Sequence, residues 1–543
     1  MTNTTINNGE TYAVVRGKIN QANAVRRYIE YGAISRGLNT PPGSPSDGDV
    51  YIVGTSPTGA WSGQANKIAV CHNGVWIFEP SVDPTGAAVA IGAAHEGLSV
   101  YVRDENATFV WSGAEWVMWG GLFSVARSTV RVEDYLSTGQ TAAQRRVAFQ
   151  AAINDGASQG RPVLIPPGTW DLDDERLDLP SGVHVEATRG YATLRCFNDR
   201  AVSKPVIEAA GGNTIYGLRI WTEFAGAPAV SDTNAGLVMR GQGTVVEDVT
   251  ITGRFYVGAN ARGARRLRWD RGVIRGSRNR AMYLYEDCQD VQIRGLHVNC
   301  LDVGTSAPYT YYGVNTNPGG TLIAENLSIR DVTVRDYLFH AIALSERCGP
   351  SEISGCFAKT SAAGAVGIIL QAANGQLLRG ARVVNNTVTG GQYGFYVQGS
   401  LFYLMAANAA NAQAGGGSVG FLFVDSNYGA SVAFSSDQTE TQGGVQIVGT
   451  AAGEMRRMML AGGVTFGGAA GANQGVWVTG GATNSSQDIV ISAVGSYGHN
   501  YGLLADVNAN RLAIAGYSAR GNGAANTDTT GATQVVTAAI NNT

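Results

Sequence analysis

The 543-residue chain carries 73 glycines but only 15 prolines, is 44% hydrophobic and 15% charged, and has a formal net charge of −3. That balance excludes a disordered chain, which needs low hydrophobicity and high net charge. It offers neither the basic surface expected of a nucleic-acid binder nor a polybasic patch for an anionic membrane.

Residues 1–36 read as a polar arm and a short helix around Ile19–Ile34, and Pro41, Pro42 and Pro45 stop any helix. Met1–Glu10 lacks the basic and apolar regions of a signal peptide, and no run of 18 apolar residues offers a membrane span. Residues 37–121 are predicted to form a small β-domain. Short runs such as Val50–Val53, Lys67–Val70, Val75–Phe78, Leu98–Val102 and Phe109–Trp111 alternate there with Gly and Asn. Trp61, Trp76, Trp111, Trp116 and Trp119 are assigned to its core in preference to sugar stacking.

Three blocks in this region, Pro41–Gly54, Gly59–Gly63 and Asn73–Phe78, occur in an order that resembles an uncharacterised module. That module occurs in tail and head-spike proteins of phages and of phage-like gene transfer agents. The resemblance covers residues 20–121. It implies a structural role in virion attachment or sugar contact and supplies no catalytic residue.

The remainder, 122–543, reads as one solenoid. Thr141-Ala142-Ala143-Gln144 is a capping box that opens a helix to about Ala157. The strand Val163–Ile165 and Pro166-Pro167-Gly168-Thr169-Trp170 follow directly. A short helix before such a strand resembles the N-terminal cap of pectate-lyase-like β-helix proteins, phage tailspikes among them. A solenoid needs a cap of this kind.

Anchors at Ala281, Gly313, Ala341, Gly367, Gly394, Gly420, Gly444, Gly475 and Gly502 each open a short apolar strand, at steps of 32, 28, 26, 27, 26, 24, 31 and 27 residues. This superperiod predicts a right-handed single-stranded parallel β-helix, the fold class assigned to the chain. Apolar residues such as Met282/Leu284 and Phe395/Val397 then point inward. The alternate positions form an outward column: Tyr283/Tyr285, Asn315/Asn317, Ala343/Ser345, Ile369/Gln371 and Tyr396/Gln398. Tyr283, Tyr285, Asn315 and Tyr396 are the candidate substrate contacts, because aromatic rings stack on pyranose faces and amides serve hydroxyls both ways. A subunit interface or a plain solvated face fits the same column.

Glycosidases need paired carboxylates. Glu286 and Glu346 share a ladder position two coils apart, so their backbones stand about 10 Å apart and they are the candidate acid and base. Asp287, Asp302, Glu325, Asp336 and His340 lie nearby, and Arg278 or Arg280 could hold an acidic sugar. Turn-flanking acids are more often solvated or paired with arginine. No metal or other cofactor is expected, since the six Cys form no CxxC pair and the six His no HxH or HExxH motif. The Gly/Asn/Thr-rich stretch after Ala515 leads to the expectation of no large C-terminal domain.

The tailspike resemblance implies a virion spike or fibre acting at the host surface. Its expected partners are a bacterial surface polysaccharide, a tail or head attachment protein, and two further copies of itself as a homotrimer. The expected activity is recognition and depolymerisation of the polysaccharide by hydrolysis, or less readily by elimination. The alternative is an adhesin that only binds. Val424, Val448 and Leu504 are expected to expose apolar surface that a trimer would cover.

Overall fold

The computed structural model describes residues 32–79, 91–92, 96, 98–105, 107–118, 129–188, 190–196, 203–222, 226, 228–303, 307, 309–317, 323–345, 347–372, 378–411, 418–439, 443–450, 455–467, 474–480, 486–506, 509–520, 522, 525–529 and 533–538. The chain divides into two compact units, 1–128 and 129–543.

In the first unit, Ser35–Leu38, Val50–Val53, Ile68–His72 and Val75–Glu79 form a four-stranded sheet. Ser99–Val102, Ala107–Trp111 and Trp116–Met118 form a three-stranded one. Strand alternation turns Val50, Ile52, Ile68 and Val70 toward Val100, Val102, Phe109 and Trp111 in one core. The opposite face of the larger sheet gathers Tyr51, Trp61 and Trp76, with the two indoles edge-on at 5.0 Å. Trp61, Trp111 and Trp116 are buried, as expected of core residues, whereas Trp119 lies outside the described residues. Of the helix expected over Ile19–Ile34, residues 19–31 also lie outside them. Gly32–Ile34 are not helical. Gly32 has φ +88°, a left-handed value that a helix cannot use, and Ala33 bridges Val102.

The second unit is a right-handed parallel β-solenoid of about 12 turns. Its strands gather into a 28-stranded and a 14-stranded sheet, with Leu378–Arg379 and Ser400–Leu401 as a separate pair, and the paired strands run parallel. The helix Ala142–Gln159 opens it. Thr141 Oγ1 accepts from the Gln144 amide, Gln144 Oε1 accepts from the Thr141 amide, and left-handed Gly160 ends the helix. Phe149 and Ile153 pack into the same core as Val163, Ile165 and Leu172, so the helix shields the first coil's apolar cross-section.

The predicted anchors stack in one column. The residues following them, Met282, Val314, Ile342, Ile368, Phe395, Phe421, Val445, Val476 and Leu503, pair in unbroken register. The column reaches back through Ala259 and Leu237, where Gly258 and Gly236 hold the anchor position. The strand opposite each anchor contributes a second inward column, Ile274, Val298, Val334, Ala358 and Val388.

Corners between strands leave backbone groups without ladder partners, and buried side chains supply them. Asn386 accepts from the Cys356 amide at 2.8 Å and donates to the Ile353 carbonyl at 3.0 Å, while Asn408 donates to the Val383 carbonyl at 2.7 Å. All six cysteines are buried free thiols.

Candidate functional site

The 14-stranded sheet carries the outward column read from the sequence. Tyr283, Asn315, Ala343, Ile369 and Tyr396 align strand to strand, as do Tyr285, Asn317, Ser345, Gln371 and Gln398 wherever the pairing continues. Their side chains leave the central core and form separate apolar clusters on the outer face. The expected openness is not found at two positions. Tyr283 is 1% exposed and Asn315 5%.

The physical reason is Arg280, at the margin of the same strand. Its guanidinium lies 4.1 Å over the Tyr283 ring, its Nε donates to Asn315 Oδ1 at 3.0 Å, and it pairs with Asp232 at 3.3 Å. Arg280 is therefore committed internally, and the acidic-sugar role expected for it is not available in this arrangement. Tyr285 and Tyr396 are half-buried. The Tyr396 hydroxyl donates to Gln398 Oε1 at 3.1 Å, which also accepts from Gln371 at 2.9 Å, and burial pushes the Tyr396 phenol up. Val424, expected to be open, is 8% exposed because it packs with Val419, Leu422 and Val448.

The carboxylates take structural positions. Glu286 closes its strand in a left-handed corner, φ +62°, and its Oε1 lies 2.5 Å from Arg262 Nε. Glu346, its expected partner, lies outside the described residues. Asp287 pairs with Arg265 and Asp302 with Arg254. His340 packs edge-on to Tyr312 at 5.3 Å, and burial pushes its imidazole down to about 4.

A groove that the sequence reading did not single out lies on the 28-stranded sheet. It measures about 370 Å³ and is lined by Thr193, Arg219, Trp221, Thr252, Arg275 and Val303 among others. Its floor is made from two adjacent outward columns. One contributes Thr193, Arg219 and Thr250; the other contributes Trp221, Thr252 and Arg275 and begins one coil earlier at Arg195. Arg195 Nε lies 2.7 Å from Asp171 Oδ1, and its Cζ sits 5.6 Å from the Trp221 ring, which fixes the half-buried indole.

One wall is the turn after Asn299. Arg254 holds it through two bonds to Asp302, at 2.8 and 2.6 Å, in a pair almost closed to solvent on the aspartate side. Val303 then lies over Gly276, where an added Cβ would come within 2.8 Å of Val303 Cγ1. The sequence did contain a signal for this groove. Arg195, Trp221, Thr252 and Arg275 occupy one strand position in successive coils, but at steps of 26, 31 and 23 residues that obscure the alignment.

Fold and site together define a capped single-stranded parallel β-solenoid preceded by a small β module. A family described as "Protein of unknown function (DUF2793)" matches residues 28–117, within that module. No curated protein matches the chain. Among solved structures it is similar to PfbA, a surface adhesin of Streptococcus pneumoniae, at 12% identity and TM-score 0.50, over 64% of this chain and 91% of that one. It is also similar to bacteriophage CBA120 tailspike protein 3, at 12% identity and TM-score 0.43, over 92% and 91%. The pre-mature bacteriophage phi29 gene product 12 matches at 12% and 0.44, over 77% and 58%. Likeness at this level concerns the fold alone.

Proposed function

We propose that the chain is a virion spike or fibre protein whose solenoid binds a bacterial surface polysaccharide, with the Trp221 groove as the primary contact. The observation that carries this reading is the groove itself. An indole, two guanidinium groups and several threonine hydroxyls converge on a rigid sheet, a combination that stacks on a sugar ring and bonds its hydroxyls. Tyr285 and Tyr396, half-buried on the other sheet, are secondary contacts in this reading.

Binding without cleavage is favoured over depolymerisation, because Glu286 is held by Arg262 as a corner ion pair. In the enzymatic version Glu286 and Glu346 remain the acid and base. The test incubates the protein with host surface polysaccharide and measures retention, new reducing ends and unsaturated sugars. Retention with no new ends is the expected result. New ends that vanish in Glu286→Gln would replace it with the enzymatic reading. No retention of any extract would end the glycan reading.

Two assembly roles belong to the same proposal. The unit at 1–128 is the attachment module, in keeping with its resemblance to phage spike modules, and the solenoid associates as a homotrimer. The apolar surface for that association lies elsewhere than expected. On the outer face of the 28-stranded sheet Leu404, Ala430, Met459, Val490, Ala513 and Val536 align in one column. Met459 is 40% exposed and Val536 70%. Sedimentation of the full chain should give three times the single-chain mass, and charged substitutions at Met459 and Val490 should reduce it to one. A wild-type mass of one chain would refute the trimer.

A further inference from the structure

Building on the glycan-binding reading, we propose that the ligand is an anionic polysaccharide laid along the solenoid axis, its acid groups met by a ladder of unpaired cations that begins in the Trp221 groove. The Trp221 column continues past the groove as Arg275, Asn299, Arg335 and Lys359, each one coil from the last. Coils rise about 4.8 Å, so Arg275 and Arg335 stand roughly 10 Å apart at the backbone and Lys359 one step further. The neighbouring column adds Arg219, then Thr250, Val273, His297, Thr333 and Phe357. From Arg195 to Thr389, and from Thr193 to Thr387 beside it, neither column contains an Asp or Glu.

The net charge of the chain is −3, and many arginines elsewhere on the solenoid do meet carboxylates: Arg240 with Glu208, Arg254 with Asp302, Arg271 with Asp248 and Arg330 with Glu352. Among the described residues Arg219, Arg275, Arg335 and Lys359 have no such partner. Arg275 Nε is buried and makes no hydrogen bond. A charged donor left in that state costs free energy that a ligand carboxylate, sulfate or phosphate would recover.

The same strip is a poor surface for self-association, since strips on neighbouring copies would repel. A nucleic acid is less well matched. The strip offers one indole in the groove and Phe357 five coils on, not the regularly spaced aromatics that stack successive bases. A sugar chain needs one ring platform and cations spaced along its length.

The test measures retardation of the full-length protein in gels cast with polygalacturonate, dextran sulfate, neutral dextran or double-stranded DNA, and with crude host polysaccharide. Polygalacturonate or dextran sulfate should retard it, salt should weaken the effect, and neutral dextran should not retard it. Arg275→Gln should weaken retention about tenfold, as should Arg335→Gln combined with Lys359→Gln. Arg294→Gln, an exposed arginine outside both columns, should leave it unchanged. If all three sets weaken binding equally, or if DNA retards as strongly as the acidic glycans, the attraction is diffuse and the inference is overturned. Retention by neutral dextran, or retention by host polysaccharide that salt does not weaken, overturns the acid requirement but leaves the glycan reading standing. Retention by none of the matrices removes both.

Discussion

Replacing Gly367 by alanine should destabilise the solenoid by about 3 kcal/mol, the upper end of the usual cost of overpacking. The added methyl carbon would lie 2.3 Å from Val388 Cγ1 and 2.6 Å from the Gly394 carbonyl oxygen. That carbonyl belongs to the strand ladder of the next coil and cannot swing away as a surface side chain would. The same column nevertheless accepts Ala341, in the coil whose facing inward residue is Ala358. In this coil the anchor and Val388 compete for one volume, whereas the coil with Ala281 opposite Val298 is spaced to hold both. The double variant Gly367→Ala/Val388→Ala recreates the Ala341/Ala358 pairing and should be less destabilised than the sum of the two single variants by about 1–2 kcal/mol. Urea midpoints for the four proteins measure this. Strict additivity would show that the two positions do not share a volume.

Acidification from pH 7 to pH 5 should remove about 2 kcal/mol of stability through His499 alone. The residue is 2% exposed, and burial pushes its imidazole down from 6.5 to about 4. Its folded value lies below its unfolded value, so the unfolded chain takes up the proton first as the pH falls. The stabilisation is complete above the unfolded value and is lost progressively between 6.5 and about 4. His340 is pushed down to about 4 by burial as well and adds its own loss over the same range. His499→Gln should flatten the dependence of the urea midpoint on pH between 7 and 5, where most carboxylates stay ionised, whatever its effect at pH 7. An unchanged slope in that variant would assign the acid loss to other groups.

Local chemistry in the sequence determined the repeating architecture. The anchor superperiod is legible because a parallel coil needs a small residue followed by alternating apolar positions each time it returns to the same sheet. Thr141 and Gln144 announce the capping helix for an equally local reason, since both partners of the box lie within one turn. The inward and outward faces of the 14-stranded sheet followed from alternation alone.

Exposure on those faces was decided by the tertiary structure. Alternation says that Tyr283 leaves the core, but only the packing shows Arg280 closing over it. The apolar strip also moved for this reason, from Val424 to Met459, Val490 and Val536, because burial depends on neighbours that no single strand specifies. The cation ladder is the clearest case. Its residues are separated by 31, 23, 24, 36 and 24 positions from Trp221 to Lys359. Loops of unequal length hide the alignment from any fixed period, and hydrogen-bonded pairing between coils brings those side chains to one line.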